Sequence, residues 1–374
     1  MTRWDQAPEI FSLADELGVG GAAPVNGILD YCHRRIDAWV AEAGGVPNID
    51  ALESLVTQKL QMVFEEIRTD DDWERLKEVY ARGKKEFVFG AIRTKFDDDH
   101  NLTYGALVQR RNATASDADR FVAVIDCRGN KLARRFFTRW HEIAHRLTTH
   151  ADMPEPVYRS EHDPIERMMD EIAGHVGFYD PLFRPVYQQA TEGVPHLKFA
   201  TVETIIGSAF PAASFQATLF ACTRRLPTPV VYLEATLAHK KEVKRKLATP
   251  SLFDDAPPPG ELRAVKVIPN KAAQQDGFTI PTNMRVPVES VIHRLFDADP
   301  MTDGNGEECL SHWESQGRSL GRRAVVVEAR KVLDRVIAIV QPVAPRQKKA
   351  KHDAEALFSE LPDLAEHAKA RVTT

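Results

Sequence analysis

Residues 25–82 have the hydrophobic spacing of helices, with apolar side chains recurring every three or four positions. The pattern predicts three helices in this part of the chain. The first is expected to end before Gly44-Gly45, and Asn48 or Asp50 is expected to cap the second. The apolar face predicted for the second helix comprises Leu52, Leu55, Val56, Leu60, Val63, Phe64 and Ile67.

The spacing then changes to that of strands. Three short runs rich in β-branched and aromatic residues cover 87–96, 104–109 and 121–126, and turn-forming segments separate them. We interpret these runs as a small antiparallel sheet. The helical spacing returns after the third run, and Asn130 is the expected N-cap. One apolar stripe of this helix comprises Phe136, Trp140, Ile143, Ala144 and Leu147.

The second half of the chain mixes both spacings. A helix is predicted from about Asp163 to Phe178, and two short helices are predicted over 199–226. The proline-rich stretch 254–260 is the best linker candidate. The runs that indicate a second, mixed α/β domain beyond it are Arg263–Ile268, Phe278–Ile280, Ala324–Glu328 and Val336–Val340.

Composition adds limits to this picture. A chain of 374 residues with 28% charged residues is typical of a globular protein with two or more domains. The net charge of −5 gives no overall attraction to nucleic acid or membrane. No apolar run approaches the ~20 residues of a spanning helix, and the acidic amino terminus is unlike a signal peptide. Four scattered cysteines form no CxxC pair, which fits a reducing compartment, so we expect a cytoplasmic protein. Because no spanning run is present, we expect no membrane partner.

The pentapeptide His141-Glu142-Ile143-Ala144-His145 is an HExxH motif on the helix with the apolar stripe. Two histidines four residues apart share a helix face, from which both rings can bind one zinc ion. Zinc polarises a scissile carbonyl and acidifies water, so Glu142 is the candidate general base. The alternative is a solvent-exposed pair of histidines. The candidates for stabilising an oxyanion are His150, His175 and Tyr179.

A third protein ligand has to come from outside this motif. The metzincin pattern is not present, because Thr148 and Ala151 occupy the positions of its glycine and third histidine. Glu166 on the next helix is the best candidate. Asp170, four residues later on the same face, is expected to accept the second N–H of a ligating histidine. The rival ligands are Glu171, Glu161 and His162.

Cys127 lies between the third β-forming run and the HExxH helix. Its thiolate is a candidate inhibitory ligand for the open fourth position of the ion, since zinc binds sulfur well. The alternative is a half-buried cysteine without a role.

The order of helices, small sheet, HEIAH helix and following acidic helix resembles the ImmA/IrrE family of bacterial metallopeptidases. The second motif of that family has Glu, then Asn or Asp four residues later, then an apolar residue followed by Ala. The residues that match it are Glu166, Asp170, Ile172 and Ala173. Tyr179 stands where the family commonly has a proline. The resemblance covers residues 50–185 and, more weakly, 199–226.

The resemblance implies an α+β fold and a function. It implies a gluzincin-like zinc (Zn2+) peptidase domain over 1–190 and a helix-turn-helix-like segment over 191–250. A mixed α/β sensor-like domain over 251–345 and a charged tail over 346–374 follow. Members of the family typically cleave a transcriptional repressor after DNA damage or phage infection. The length and the C-terminal domain also resemble CapP-type peptidases of anti-phage operons.

The resemblance further implies a helix-turn-helix repressor as the protein substrate and a sensor-like domain that could bind a small-molecule activator. Single-stranded DNA is a second candidate activator, which the basic clusters suggest. The alternative function is a non-catalytic zinc-containing sensor that binds DNA or a partner through residues 199–246. Glu142 favours the enzyme, because a structural zinc ion does not need a general base. The basic clusters that offer contacts to DNA are Lys240-Lys241, Lys244-Arg245-Lys246 and Lys348-Lys349-Lys351.

Overall fold

A computed structural model describes residues 4–82, 89–97, 104–110, 114, 117–149, 163–194, 196–240, 243, 245, 259–315 and 317–343. The chain divides into two compact units. The first unit comprises Met1–Thr228 and Asn270–Gly277, and the second comprises Pro229–Pro269 and Phe278–Thr374. No helix in the described ranges is both long enough and apolar enough to cross a lipid bilayer. The predicted segment 191–250 is divided between the two units.

The first unit is mainly helical. The two amphipathic helices predicted near its amino terminus are confirmed as α2 and α3, and the Asn48 side chain caps α3 by accepting the Ala51 N–H. The described helices of this unit are α1 (Pro8–Glu16), α2 (Pro24–Glu42), α3 (Ile49–Leu60), α4 (Asp70–Arg82), α5 (Phe89–Phe96), α6 (Arg135–Thr148), α7 (Pro164–Val176), α8 (Asp180–Thr191), α9 (Phe199–Ala209), α10 (Phe215–Arg225) and α11 (Lys271–Gln275).

A three-stranded sheet lies in the first unit, with β1 (Met62–Ile67), β2 (Gly105–Gln109) and β3 (Phe121–Asp126) in the order β1-β3-β2. The predicted antiparallel pairing of β2 with β3 is confirmed, whereas β1 pairs with β3 in parallel. Every residue of β3 is buried, so this strand forms the centre of the local core.

Two predictions around this sheet are wrong. Residues 89–96, expected in a strand, form helix α5, and the second predicted helix does not continue to Ile67. Helix α3 ends because Gln61 adopts a left-handed conformation with φ 54°. The apolar residues after it then pair with the buried strand β3, which satisfies their backbone groups.

The start of α6 also differs from the prediction. Asn130 is not its N-cap, because residues Gly129–Arg134 form a 3-10 turn and the α-helix begins only at Arg135. Gly129 has a φ of 55°, which turns the chain between β3 and this segment. The side chain of Lys131 then returns to β3 and pairs with Asp126.

The second unit contains a six-stranded antiparallel sheet in the order β6-β5-β4-β11-β10-β7. Helix α12 (Val291–Phe296) packs against the backbone of β7, where Gly304 and Gly306 leave room for Val291. The described strands of this unit are β4 (Val231–Ala238), β5 (Glu261–Pro269), β6 (Met284–Arg285), β7 (Asp303–Cys309), β8 (Glu314–Ser315), β9 (Arg318–Ser319), β10 (Ala324–Val332) and β11 (Arg335–Pro342).

Three of the four β-forming runs predicted for this region are confirmed within β5, β10 and β11. The run Phe278–Ile280 is not a strand, although Phe278 and Ile280 are buried. Strand β4 lies inside the segment predicted to resemble a helix-turn-helix, but it is hydrogen-bonded to β5 and β11 at the centre of the sheet. The tail 346–374 lies outside the described residues.

Candidate metal centre

Helix α6 has an apolar face and a polar face. The predicted apolar stripe is confirmed, since Trp140, Ile143 and Ala144 are fully buried. On the polar face the side chains of His141 and His145 are 16% and 22% exposed. Burial of the apolar face therefore holds the helix in place and leaves both imidazoles accessible.

Helix α7 brings the third ligand to this face. It begins after Asp163, whose carboxylate accepts the Ile165 N–H, and Pro164 occupies its first position. At its other end it approaches α6 closely, because a Cβ on Gly177 would lie 2.9 Å from Trp140 Cγ. This packing places Glu166 opposite the two histidines.

Three ligand atoms form a triangle. The His141 Nε2 atom lies 3.2 Å from His145 Nε2 and 3.1 Å from Glu166 Oε2, and His145 Nε2 lies 3.6 Å from Glu166 Oε2. In a tetrahedral zinc site with bonds of 2.0–2.1 Å, two ligand atoms are separated by about 3.3 Å. The triangle therefore has the size that one zinc ion needs, and in the described ranges no other group of three such ligands comes together.

Asp170 lies behind the ligand His141. The Nδ1 atom of His141 is 2.8 Å from Asp170 Oδ1, so the ring donates its Nδ1–H to this carboxylate. The Nε2 atom of the neutral ring then directs a lone pair at Glu166 Oε2, which also carries lone pairs. Two acceptors 3.1 Å apart need a proton or a cation between them. The donor set of two imidazoles and one carboxylate fits zinc.

The electrostatics of the group favour a bound cation. Desolvation lowers the pKa of His141, but hydrogen bonds to Asp170 and Glu166 outweigh it and raise this pKa to about 10. Desolvation raises the pKa of Glu166, yet the hydrogen bonds with His141 and His145 bring it well below its ordinary value. The carboxylates of Asp170, Glu166 and Glu142 thus surround the His141 ring with negative charge, which favours a cation at this place.

Glu142 lies beside the triangle and against strand β2. It is 4% exposed, and burial raises the pKa of its carboxyl group. Gly105, at the start of β2, makes room for it, since a Cβ there would clash with Glu142 Oε1 and lie 2.9 Å from Thr138 Cγ2. The sequence prediction missed Gly105, although a glycine within a β-forming run often marks a close approach of the backbone.

Cys127 is not part of the ligand group, which consists of His141, His145 and Glu166. The cysteine is buried, and this burial is the main cause that raises the pKa of its thiol to about 11. The negative charge of Glu66 also raises this pKa, by a smaller amount. Its backbone N–H donates to the Ile67 carbonyl. These contacts give no support to a thiolate held at the ion.

The other candidates lie elsewhere or outside the described residues. The Tyr179 hydroxyl donates to Asp37, 2.6 Å away, and the His175 ring packs edge-on against His33. Glu171, a rival ligand, pairs with Arg224 at 2.9 Å. The rivals and oxyanion candidates outside the described residues are His150, Glu161 and His162.

The two short helices predicted over 199–226 are confirmed as α9 and α10. Five of the 11 residues of α10 are buried, and five more are partly buried. Its one exposed residue is Arg224, which is paired with Glu171. A recognition helix needs an exposed polar face to enter the major groove. Of the basic clusters, the structure describes Lys240, which is exposed, and Arg245.

The centre thus joins three zinc-type ligands, a buried carboxylate and an orienting aspartate within two adjoining helices and one strand. No protein-family model and no curated protein matches the chain. The chemistry of the site has to be inferred from its own geometry.

Proposed function

We propose that the chain is a zinc-dependent endopeptidase, with His141, His145 and Glu166 as ligands and Glu142 as general base. The observation that supports this most is the triangle of ligand atoms, whose edges of 3.1, 3.2 and 3.6 Å suit tetrahedral zinc. A structural zinc site is usually closed by four protein ligands. The described residues supply three, which leaves a position for reaction.

The protein residues around the ion have separate tasks. Zinc held by these ligands supplies Lewis-acid polarisation of the scissile carbonyl. Glu142 takes a proton from the attacking water and returns it to the leaving amine. Asp170 holds the His141 ring in one orientation and one tautomer through the 2.8 Å bond to Nδ1. Burial of Glu142 against Gly105 keeps its carboxylate from rotating away from the reacting atoms.

The sheet edge next to Glu142 favours an extended peptide as substrate. Among the described strands, β2 pairs with β3 alone and lies at the edge of the sheet. We propose that a substrate peptide pairs along its other edge. Because Gly105 begins β2 and adjoins Glu142, a peptide paired along this edge passes the general base. Recognition through backbone hydrogen bonds suits cleavage within a chain.

The substrate class that we propose comes from the resemblance to the ImmA/IrrE family. It is a transcriptional repressor of the helix-turn-helix type, cleaved in a stress or anti-phage response. The non-catalytic alternative gains nothing from α10, because the one exposed residue of that helix, Arg224, pairs with Glu171.

The decisive variant is Glu142→Gln, which removes the base and keeps the size of the side chain. The purified full chain is incubated with candidate helix-turn-helix repressors from the same organism, fragment masses are recorded, and bound zinc is measured. We expect one equivalent of zinc in both proteins and a fall in cleavage of roughly 100- to 10 000-fold in the variant. Glu171→Gln is the matched control on α7 and should cleave normally, because Glu171 pairs with Arg224.

Two results would contradict the proposal. A wild-type chain free of zinc after purification and reconstitution would remove the metal centre. Cleavage that persists in Glu142→Gln would remove the general base, and bound zinc without any cleavage by the wild type would favour the sensor.

A further inference from the structure

Arg134 is the last residue of the 3-10 turn and directly precedes α6. Thr138 and Glu142 share one face of α6, and Arg134 lies four residues before Thr138. The Arg134 guanidinium carbon is 4.3 Å from the centre of the Tyr104 ring, and Thr138 and Glu142 lie against Gly105. Arg134, Thr138 and Glu142 therefore lie beside the chain where it passes from Tyr104 into β2.

Arg134 differs from the arginines that follow it in the chain by the partners of its side chain. Arg135 and Arg139 both donate to Glu66, at 2.5 and 2.9 Å. Arg134 is exposed, and no carboxylate of the described residues lies within 4.0 Å of it. Its contact with the Tyr104 ring restricts the long side chain while its N–H groups stay available to an anion.

We propose that Arg134 is a specificity-determining residue that binds a carboxylate side chain of the peptide substrate. This inference rests on the proposed peptidase function. A guanidinium group already ordered on an aromatic ring loses little conformational entropy when it binds. It can also bind both oxygens of a carboxylate through two hydrogen bonds. A neutral or cationic side chain of the substrate cannot form this pair of charge-assisted bonds.

The geometry gives the position of the selected residue. Helix α6 rises by about 12 Å between residues 134 and 142, at ~1.5 Å per residue. An extended peptide advances about 3.3 Å per residue. A substrate segment paired along β2 therefore places its Asp or Glu roughly two to four residues from the scissile bond, on the side of Tyr104.

The test uses the zinc-loaded full chain and a peptide library from a digested proteome, with cleavage sites identified by mass spectrometry. Two synthetic peptides then differ only in Glu or Lys at the most enriched position. For the wild type we expect acidic enrichment and a kcat/KM at least about tenfold higher for the Glu peptide. Arg134→Glu should reverse this preference, and Arg134→Gln should abolish it.

Arg34→Glu is the control, because Arg34 is an exposed arginine on α2 and the charge change is identical. It should keep the wild-type preference. If Arg134→Glu cleaves the library with unchanged acidic preference, the inference is overturned and the peptidase function stands. If the wild type cleaves neither library nor repressor although zinc is bound, the proposed function fails and the inference fails with it.

Discussion

Glu142 reaches its place beside the ligand atoms because residue 105 has no side chain. At the scale of single residues, the candidate centre depends on such close contacts as much as on the ligands themselves. Asp170 orients His141 through one hydrogen bond of 2.8 Å, and Gly177 allows the Trp140 ring to lie against α7. Each contact restricts a group that has to keep its position during a reaction.

Gly105→Ala tests this dependence on residue 105. An added Cβ clashes with the Glu142 carboxylate, so Glu142 has to move while the three ligands keep their positions. We expect full zinc content and a loss of cleavage of roughly 10- to 100-fold, since small misplacements of a catalytic group have effects of this size. The matched control is Gly207→Ala, because a Cβ at Gly207 meets nothing within 4 Å. Equal activity of both variants would contradict the assigned position of Glu142.

At the scale of elements, two clusters of charges fix α6 and the 3-10 turn before it to the sheet. Asp126, at the end of β3, accepts from Arg128 Nε at 2.9 Å and from Lys131 Nζ at 2.6 Å. Glu66 of β1 accepts from Arg135 and Arg139 of α6. The Glu66 cluster holds the amino-terminal half of α6, and the Asp126 cluster holds the 3-10 turn that precedes it. Together they set the direction in which the helix carries its histidines past the sheet.

The Asp126 cluster makes stability depend on pH. Desolvation raises the pKa of Asp126, but the hydrogen bonds from Arg128 and Lys131 outweigh it and bring this pKa below its ordinary 3.8. A depressed pKa contributes stability above pH ~4 that is lost as the pH falls through the folded-state value. We expect Asp126→Asn to lower the free energy of unfolding by about 1–3 kcal/mol at pH 7, because Arg128 keeps Asp70 and Asp97 as partners. This difference should shrink below pH ~4.

Urea unfolding at pH 7, 5 and 3.5 measures this effect. Glu192→Gln is the control, since Glu192 is exposed at the end of α8 and should change stability little at any of these pH values. A destabilisation by Asp126→Asn that stays constant down to pH 3.5 would show that the charge of Asp126 is not responsible.

At the scale of the whole molecule, the candidate centre belongs entirely to the first unit, since α6 and α7 lie within Met1–Thr228. The second unit carries its own sheet and its own helix α12. An ion that joins α6 to α7 stabilises the folded first unit, because the unfolded chain does not hold the three ligands together.

Removal of the ion should therefore lower the thermal stability. Zinc at a free concentration a thousandfold above its Kd stabilises the folded state by about 4 kcal/mol. We therefore expect a chelator to reduce the Tm for unfolding of the first unit by roughly 10 °C. The shift should disappear in Glu166→Gln and persist in Glu171→Gln. In the wild type, the Glu171 carboxylate pairs with Arg224 and is not part of the ligand group. The same Tm for wild type with and without chelator would contradict a metal-bound first unit.

Features that depend on neighbours in the sequence could be predicted. The spacing of His141 and His145 and the apolar stripe around them are properties of one helix, and Asn48 and Asp163 cap helices within their own segments. The strand β1 could not be predicted in this way, because Met62–Ile67 is apolar enough for either structure. Its pairing with the distant β3 decided the outcome.

The sequence by itself determined the helix that carries two imidazoles and a carboxylate in HExxH order, and it indicated Glu166 and Asp170 as partners. Only the tertiary structure decided that Glu166 completes the triangle, that Gly105 confines Glu142 and that Cys127 and Glu171 lie apart from the ligands. The reason is physical. Periodicity fixes which side chains share a face of one element, whereas distances between elements follow from how their buried faces pack.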